Sequence, residues 1–181
     1  MRTLVAAAVL LASTLCIGQN MLKILPAPLE AGSTRTRGDL HFFCTADYDR
    51  RQCAKDSEAL RKALVRLPTE RLGEWTFVIA ASAHWEEMLR RLGGHAGTPA
   101  FSLLDVRATV MEEALFSGSL ERQMQVRKSF GETGEGLLKL AITHEMGHAV
   151  CGDANERSAE EFGRELRERK EAACAVVKAK K

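Results

Sequence analysis

Apolar and polar positions alternate with different periods along this chain, and the periods divide it into elements. Leu4 to Leu15 is an almost unbroken apolar stretch behind Arg2. Gln19 to Gly38 has two prolines, a Gly-Ser-Thr cluster and little periodicity, and reads as an irregular linker or pro-like segment. Asp39 to Cys44 is short and aromatic, a first strand. Asp56 to Leu67 carries Leu60, Ala63, Leu64 and Leu67 at helical spacing until Pro68 stops it. Trp75 to Ala81 is rich in β-branched and aromatic residues, a second strand. Ser82 caps a predicted helix over Ala83 to Leu92, which Gly93-Gly94 ends. Alternation at Leu104, Val106, Ala108 and Val110 predicts a strand or hairpin within Phe101–Phe116, although Val106, Val110 and Ala114 also fit a helix. Gly118 and Gly131 to Gly136 bracket a polar stretch expected to be irregular.

Leu137 to Cys151 is the clearest helix. Leu137, Leu140, Ala141, His144, His148 and Cys151 share one face, so two histidines continue an apolar stripe. Gly152 is a left-handed stop, and Asp153 caps a last helix predicted to run from Ala154 to about Val177. The order strand, helix, strand, helix, strands, helix, helix is α+β with its helical core at the C-terminal end.

Composition fits one modest domain over 39–181: the chain has 181 residues, 45% hydrophobic and 28% charged. Residues 1–18 read as a signal peptide, too short for the ~20 apolar residues of a membrane span. Leu15 before Cys16 argues against a lipoprotein. A net charge of +2, or +1 once Arg2 is removed, selects neither nucleic acid nor an acidic membrane as partner. After loss of Cys16, four of the five cysteines remain, an even number suited to an oxidising periplasmic or extracellular compartment. Local spacing favours Cys44 with Cys53 and Cys151 with Cys174; four buried thiols are the rival.

His144-Glu145-Met146-Gly147-His148 is an H-E-x-x-H run on that clearest helix. Residues four apart on a helix reach one metal ion together, and Glu145 between them can take a proton from a water that the ion polarises. These are the ingredients of zinc-assisted peptide hydrolysis. A catalytic zinc site needs a third protein ligand. The segment Asn155-Glu156, with Glu160 four residues on and then Phe162-Gly163, resembles the third-ligand helix of the thermolysin-like gluzincins. The resemblance covers residues 137 to about 166. It implies a minimal zincin-like core, Glu156 as third Zn²⁺ ligand, and Glu160 as the outer carboxylate that orients a ligand histidine. It also implies a peptide or protein substrate lying along a strand of the Phe101–Met111 region. Only seven residues separate His148 from Glu156, so an immediate return helix has to bring Glu156 back over the histidines.

Plainer readings stand beside this one. Glu156 fits the N3 position of a capping box begun by Asp153, which would leave Asp153 or Glu160 as the third ligand. The two histidines also fit a satisfied core. Glu161 reads as a surface charge pair. The longer H-E-x-x-H-x-x-G-x-x-H pattern fails, with its glycine one place late at Gly152 and Ala154 in the ligand position. Tyr48, His41, His84 and His95 are candidates for an oxyanion donor, and no spacing selects one. A non-catalytic zinc protein and a secreted interaction domain are the rival classes.

Overall fold

The computed structural model describes residues 29–30, 40–130 and 134–174, so the apolar N-terminal stretch, most of the 19–38 segment and the basic tail lie outside it. The architecture is α+β. A mixed sheet runs in the order β1-β2-β3-β5-β4, built from β1 (Leu29–Glu30), β2 (Leu40–Cys44), β3 (Trp75–Ala80), β4 (Ala100–Leu103) and β5 (Ala108–Glu112). β2, β3 and β5 are mutually parallel, whereas β1 and β4 are antiparallel edges. Five helices accompany it among the described residues: α1 (Arg50–Leu64), α2 (Trp85–Leu92), α3 (Leu120–Phe130), α4 (Gly134–Cys151) and α5 (Glu156–Arg167).

Strand period explains how the sheet is covered on both faces. Along β3, Phe77 and Ile79 point into the main core with Phe42, Leu60, Leu137, Ile142, Met146 and Phe162. The alternate residues Val78 and Ala80 point the other way, onto Trp85, Met88 and Leu89 of α2. Central parallel strands buried on both sides are expected to read as near-continuous apolar runs, as β3 does.

Four expectations need correction. α1 starts six residues before Asp56, because the Asp49 carboxylate accepts from the Gln52 amide at 2.9 Å and caps it. Its first buried positions are Cys53, Asp56 and Ser57, two of them polar. The polar stretch after Gly118 contains α3, in which Val126 is buried in the main core. That helix is tied down by charge: Arg122 donates to both carboxylate oxygens of the fully buried Glu112, at 2.6 and 3.0 Å, and to Glu86 at 2.9 Å. Ser82 opens a short 3-10 turn, with the α-helix proper beginning at Trp85.

The last helix ends at Arg167, ten residues earlier than expected. Arg169 takes the left-handed conformation (φ 58°), Lys170 N–H bonds to the Glu165 carbonyl and Arg169 N–H to Leu166. This is a Schellman stop with arginine where glycine is usual. The chain turns back, buries Ala172 and brings Cys174 to Cys151 at bonding distance; Cys44 and Cys53 pair likewise. Among the described residues no helix is long and apolar enough to cross a membrane.

Candidate metal centre

α4 presents His144 and His148 one turn apart, with ring centroids 5.0 Å from each other. Gly152 (φ 60°) ends the helix, and Asp153 and Asn155 reverse the chain. The Asp153 carboxylate accepts from the Asn155 amide at 2.9 Å, and the Asn155 side chain caps α5 by accepting from Ser158 N–H at 3.1 Å. The cap is therefore Asn155, not Asp153. Glu156 becomes the first helical residue, so the capping-box role does not arise.

Glu156, Glu160, Gly163 and Arg167 then follow at four-, three- and four-residue steps down the face of α5 that meets α4. Two glycines make that meeting intimate. A Cβ on Gly147 would lie 2.6 Å from the Ala159 backbone, and one on Gly163 would lie 2.9 Å from that of Thr143. Backbones in such contact set the first turn of α5 directly over the histidines.

Glu156 Oε2 lies 3.0 Å from His144 Nε2, and Glu156 Oε1 lies 3.6 Å from His148 Nε2. One ligand atom from each of the three residues falls within 4.8 Å of the others, the only such group among the described residues. Tetrahedral ligands at 2.0–2.2 Å from an ion stand about 3.4 Å apart, so the donor set fits a small cation. The outer hydrogen bonds agree with that use. His148 Nδ1 donates to the Asp153 carbonyl at 2.7 Å, which leaves its Nε2 lone pair for a metal. His144 Nδ1 faces Glu160 Oε2 at 3.3 Å, leaving Nε2 toward Glu156. Asp153 does not converge on this point, and Glu160 sits behind His144. Glu161 pairs with Arg157 on the surface, as expected.

Glu145 lines the same cleft as the two histidines, on the side where Ser102 of β4 stands. It is 5% exposed, and its Oε2 is buried without a hydrogen-bond partner. Burial pushes this carboxyl up to about 7, against the pull of the Ser102 hydroxyl and the His148 imidazole and with added repulsion from Glu156. An acid that titrates near neutrality in a cleft wall is suited to proton transfer.

The cleft holds about 700 Å³ between β4 and the two helices. Phe101 to Leu104 form one side; Leu137, Leu140 and Ala141 form its apolar floor beside the histidines. The edge strand expected in the Phe101–Met111 region is thus β4, the antiparallel arm of a hairpin with β5. Ser102, which sequence reasoning missed, stands in that wall. Trp75 Nε1 donates to Thr109 Oγ1 at 3.0 Å, and Thr109 lies 2.9 Å from Ser102 Oγ. An indole can only donate, so the Thr109 proton is free for Ser102, and the Ser102 hydroxyl faces Glu145, 3.5 Å from its backbone carbonyl.

The other polar candidates separate. Tyr48 is buried and donates to Asp56 at 2.7 Å; His41 pairs with Glu74 and His84 with Asp47, away from the cleft. His95 lines the cleft. Comparison with protein-family models, curated proteins and solved structures finds no match to this chain.

Proposed function

We propose that the chain is an exported zinc-dependent metallopeptidase, a gluzincin-type active site on a minimal zincin-like core. The observation that carries the reading is a conjunction: three metal-ligating atoms within 4.8 Å, with an unpartnered buried Glu145 carboxylate oxygen adjoining the same cleft. In this reading His144, His148 and Glu156 hold Zn²⁺. Zinc, when bound, acidifies water and polarises a carbonyl. Glu145 takes the proton of the attacking water and delivers it to the leaving amine nitrogen. Among the described residues β4 is the last strand of the sheet and lines the cleft, which suits an extended peptide bound by main-chain hydrogen bonds. The apolar floor at Leu137, Leu140 and Ala141 suits an apolar side chain. Two cysteine pairs and the apolar N-terminal stretch support export.

The test is metal content and hydrolysis of an unstructured protein by the mature chain, beside Glu145→Gln and Glu156→Ala. One equivalent of zinc is expected, kept by Glu145→Gln with hydrolysis lost, and weakened by Glu156→Ala. Metal-replete protein without zinc overturns the reading. Zinc retained at full affinity by Glu156→Ala moves the third ligand elsewhere.

A further inference from the structure

We infer that Arg167 is a positioning residue of the metal centre, clamping Glu160 against His144 from the far end of α5; this rests on the metal-site reading above. Arg167 lies seven residues beyond Glu160, two turns along the same helix face. Its guanidinium forks between the two helices. One nitrogen donates to Glu160 Oε1 at 2.6 Å, and the other to Thr143 Oγ1 at 2.8 Å. Thr143 is fully buried and spends its own proton on the Lys139 and Leu140 carbonyls, at 2.8 and 3.1 Å. Its oxygen is therefore a fixed acceptor, and it belongs to the residue immediately before His144.

The second oxygen of Glu160 faces His144 Nδ1. A closed circuit results: α4 backbone, Thr143, Arg167, Glu160 and back to α4 through His144. The Glu160 side chain is 50% exposed, so without a partner it would sample solvent rotamers and leave His144 unsupported. Arg167 is 20% exposed and anchored at both ends, which lets it hold the carboxylate in one orientation. The planar fork is what the geometry requires. A lysine ammonium is a point charge that would reach either Thr143 or Glu160 in good geometry, not both. The family resemblance implies the Glu160–His144 contact; the Thr143–Arg167 half of the circuit is read from the geometry alone.

The experiment measures zinc affinity of the mature full-length chain by competition with a fluorescent chelator. Wild type is compared with Arg167→Met, Arg167→Lys, Glu160→Gln and Glu160→Gln combined with Arg167→Met. Removing support of this kind weakens metal binding roughly 10–100-fold. Arg167→Met is expected to fall in that range, with Arg167→Lys only partly restored. The decisive arm is the double variant: adding Arg167→Met to Glu160→Gln should weaken zinc by less than about twofold, because the arginine acts through that carboxylate. A purely structural role would instead lower the metal-free melting temperature and multiply the two losses. Wild-type affinity in Arg167→Met, or multiplied losses, overturns the inference while leaving the metal centre standing. If Arg167→Met does not fold, Arg167→Lys in the same two backgrounds gives the same decision. Failure of wild type to bind zinc overturns the metal centre and this inference together.

Discussion

Gly147 is the position at which fold and site can be pulled apart by a single methyl group. Gly147→Ala places a Cβ 2.6 Å from both Cα and O of Ala159, and 3.0 Å from its carbonyl carbon. Those are backbone atoms of the facing helix, so no side chain can rotate away. Carbon contacts relax at about 3.5 Å, which requires α5 to retreat by roughly 1 Å. Overpacking of this kind costs about 1–3 kcal/mol. The same substitution favours helix by about 1 kcal/mol, leaving a net destabilisation between about 0 and 2 kcal/mol. Metal binding should suffer more. Glu156 moves with α5, whereas ligand distances tolerate only about 0.2 Å. Chelator competition should therefore show zinc weakened at least tenfold, alongside a modest shift in a metal-free urea melt. Gly163→Ala, which meets the Thr143 backbone and the His144 nitrogen, should behave alike. A variant stabilised by about 1 kcal/mol with unchanged zinc affinity would refute the claim that touching backbones set the site.

Three further outcomes follow from buried or bridged groups. In metal-free protein the Glu145 carboxyl is raised from 4.5 to about 7, so its protonated form is the one the fold prefers. That contribution is present below about pH 4.5 and lost as pH rises through 7, so Glu145→Gln should gain on wild type by on the order of 3 kcal/mol across this window in pH-dependent melts; a difference flat with pH sinks the assignment. Arg122→Met strands the buried Glu112 carboxylate and should cost about 3–5 kcal/mol in chemical denaturation, and a loss under 1 kcal/mol would show that α3 is not anchored by this pair. Replacing Cys151 and Cys174 together by serine opens a bridge of sequence separation 23 and should lower stability by about 3 kcal/mol; an unchanged melt would mean the bridge does not constrain the tail.

What the sequence made legible was whatever a single period could carry. The stripe from Leu137 to Cys151 and the apolar run of β3 depend on local spacing alone. The start of α1 was hidden because residues 50–55 are mostly polar and carry no apolar stripe; the buried Asp56 and Ser57 that follow are satisfied by Tyr48, Gln52 and Ser117 or by the nearby cysteine sulfurs. α3 was hidden because its described residues are mostly polar, with Val126 buried in the core and Arg122 paired to Glu112 of β5. The end of α5 was hidden because Arg169 adopts a conformation that the sequence usually advertises with glycine. At the site, the histidines and the two acids of α5 were readable as a motif. Ser102, Thr143 and Arg167 were not, since their roles exist only once β4, α4 and α5 are in register.

The short connection between the histidines and Glu156 turns out to be what concentrates the site. With Gly152 ending one helix and Asn155 capping the next, the candidate third ligand Glu156 stands at the first position of α5, where the helix dipole favours a carboxylate. An acid there needs no long loop to be delivered and little further ordering to face the ion. The same two helices are then locked along their length: Gly147 against Ala159, Gly163 against Thr143, and Arg167 across the gap. Beyond the end of α5, Cys174 returns to Cys151 while Arg71 holds the Ala172 carbonyl at 2.7 Å. All three candidate ligands thus belong to one closely packed helix pair, and β4 supplies the opposite wall of the cleft. Placement of the candidate ligands is therefore decided by backbone contact between consecutive helices, with the cleft wall supplied by one strand of the sheet.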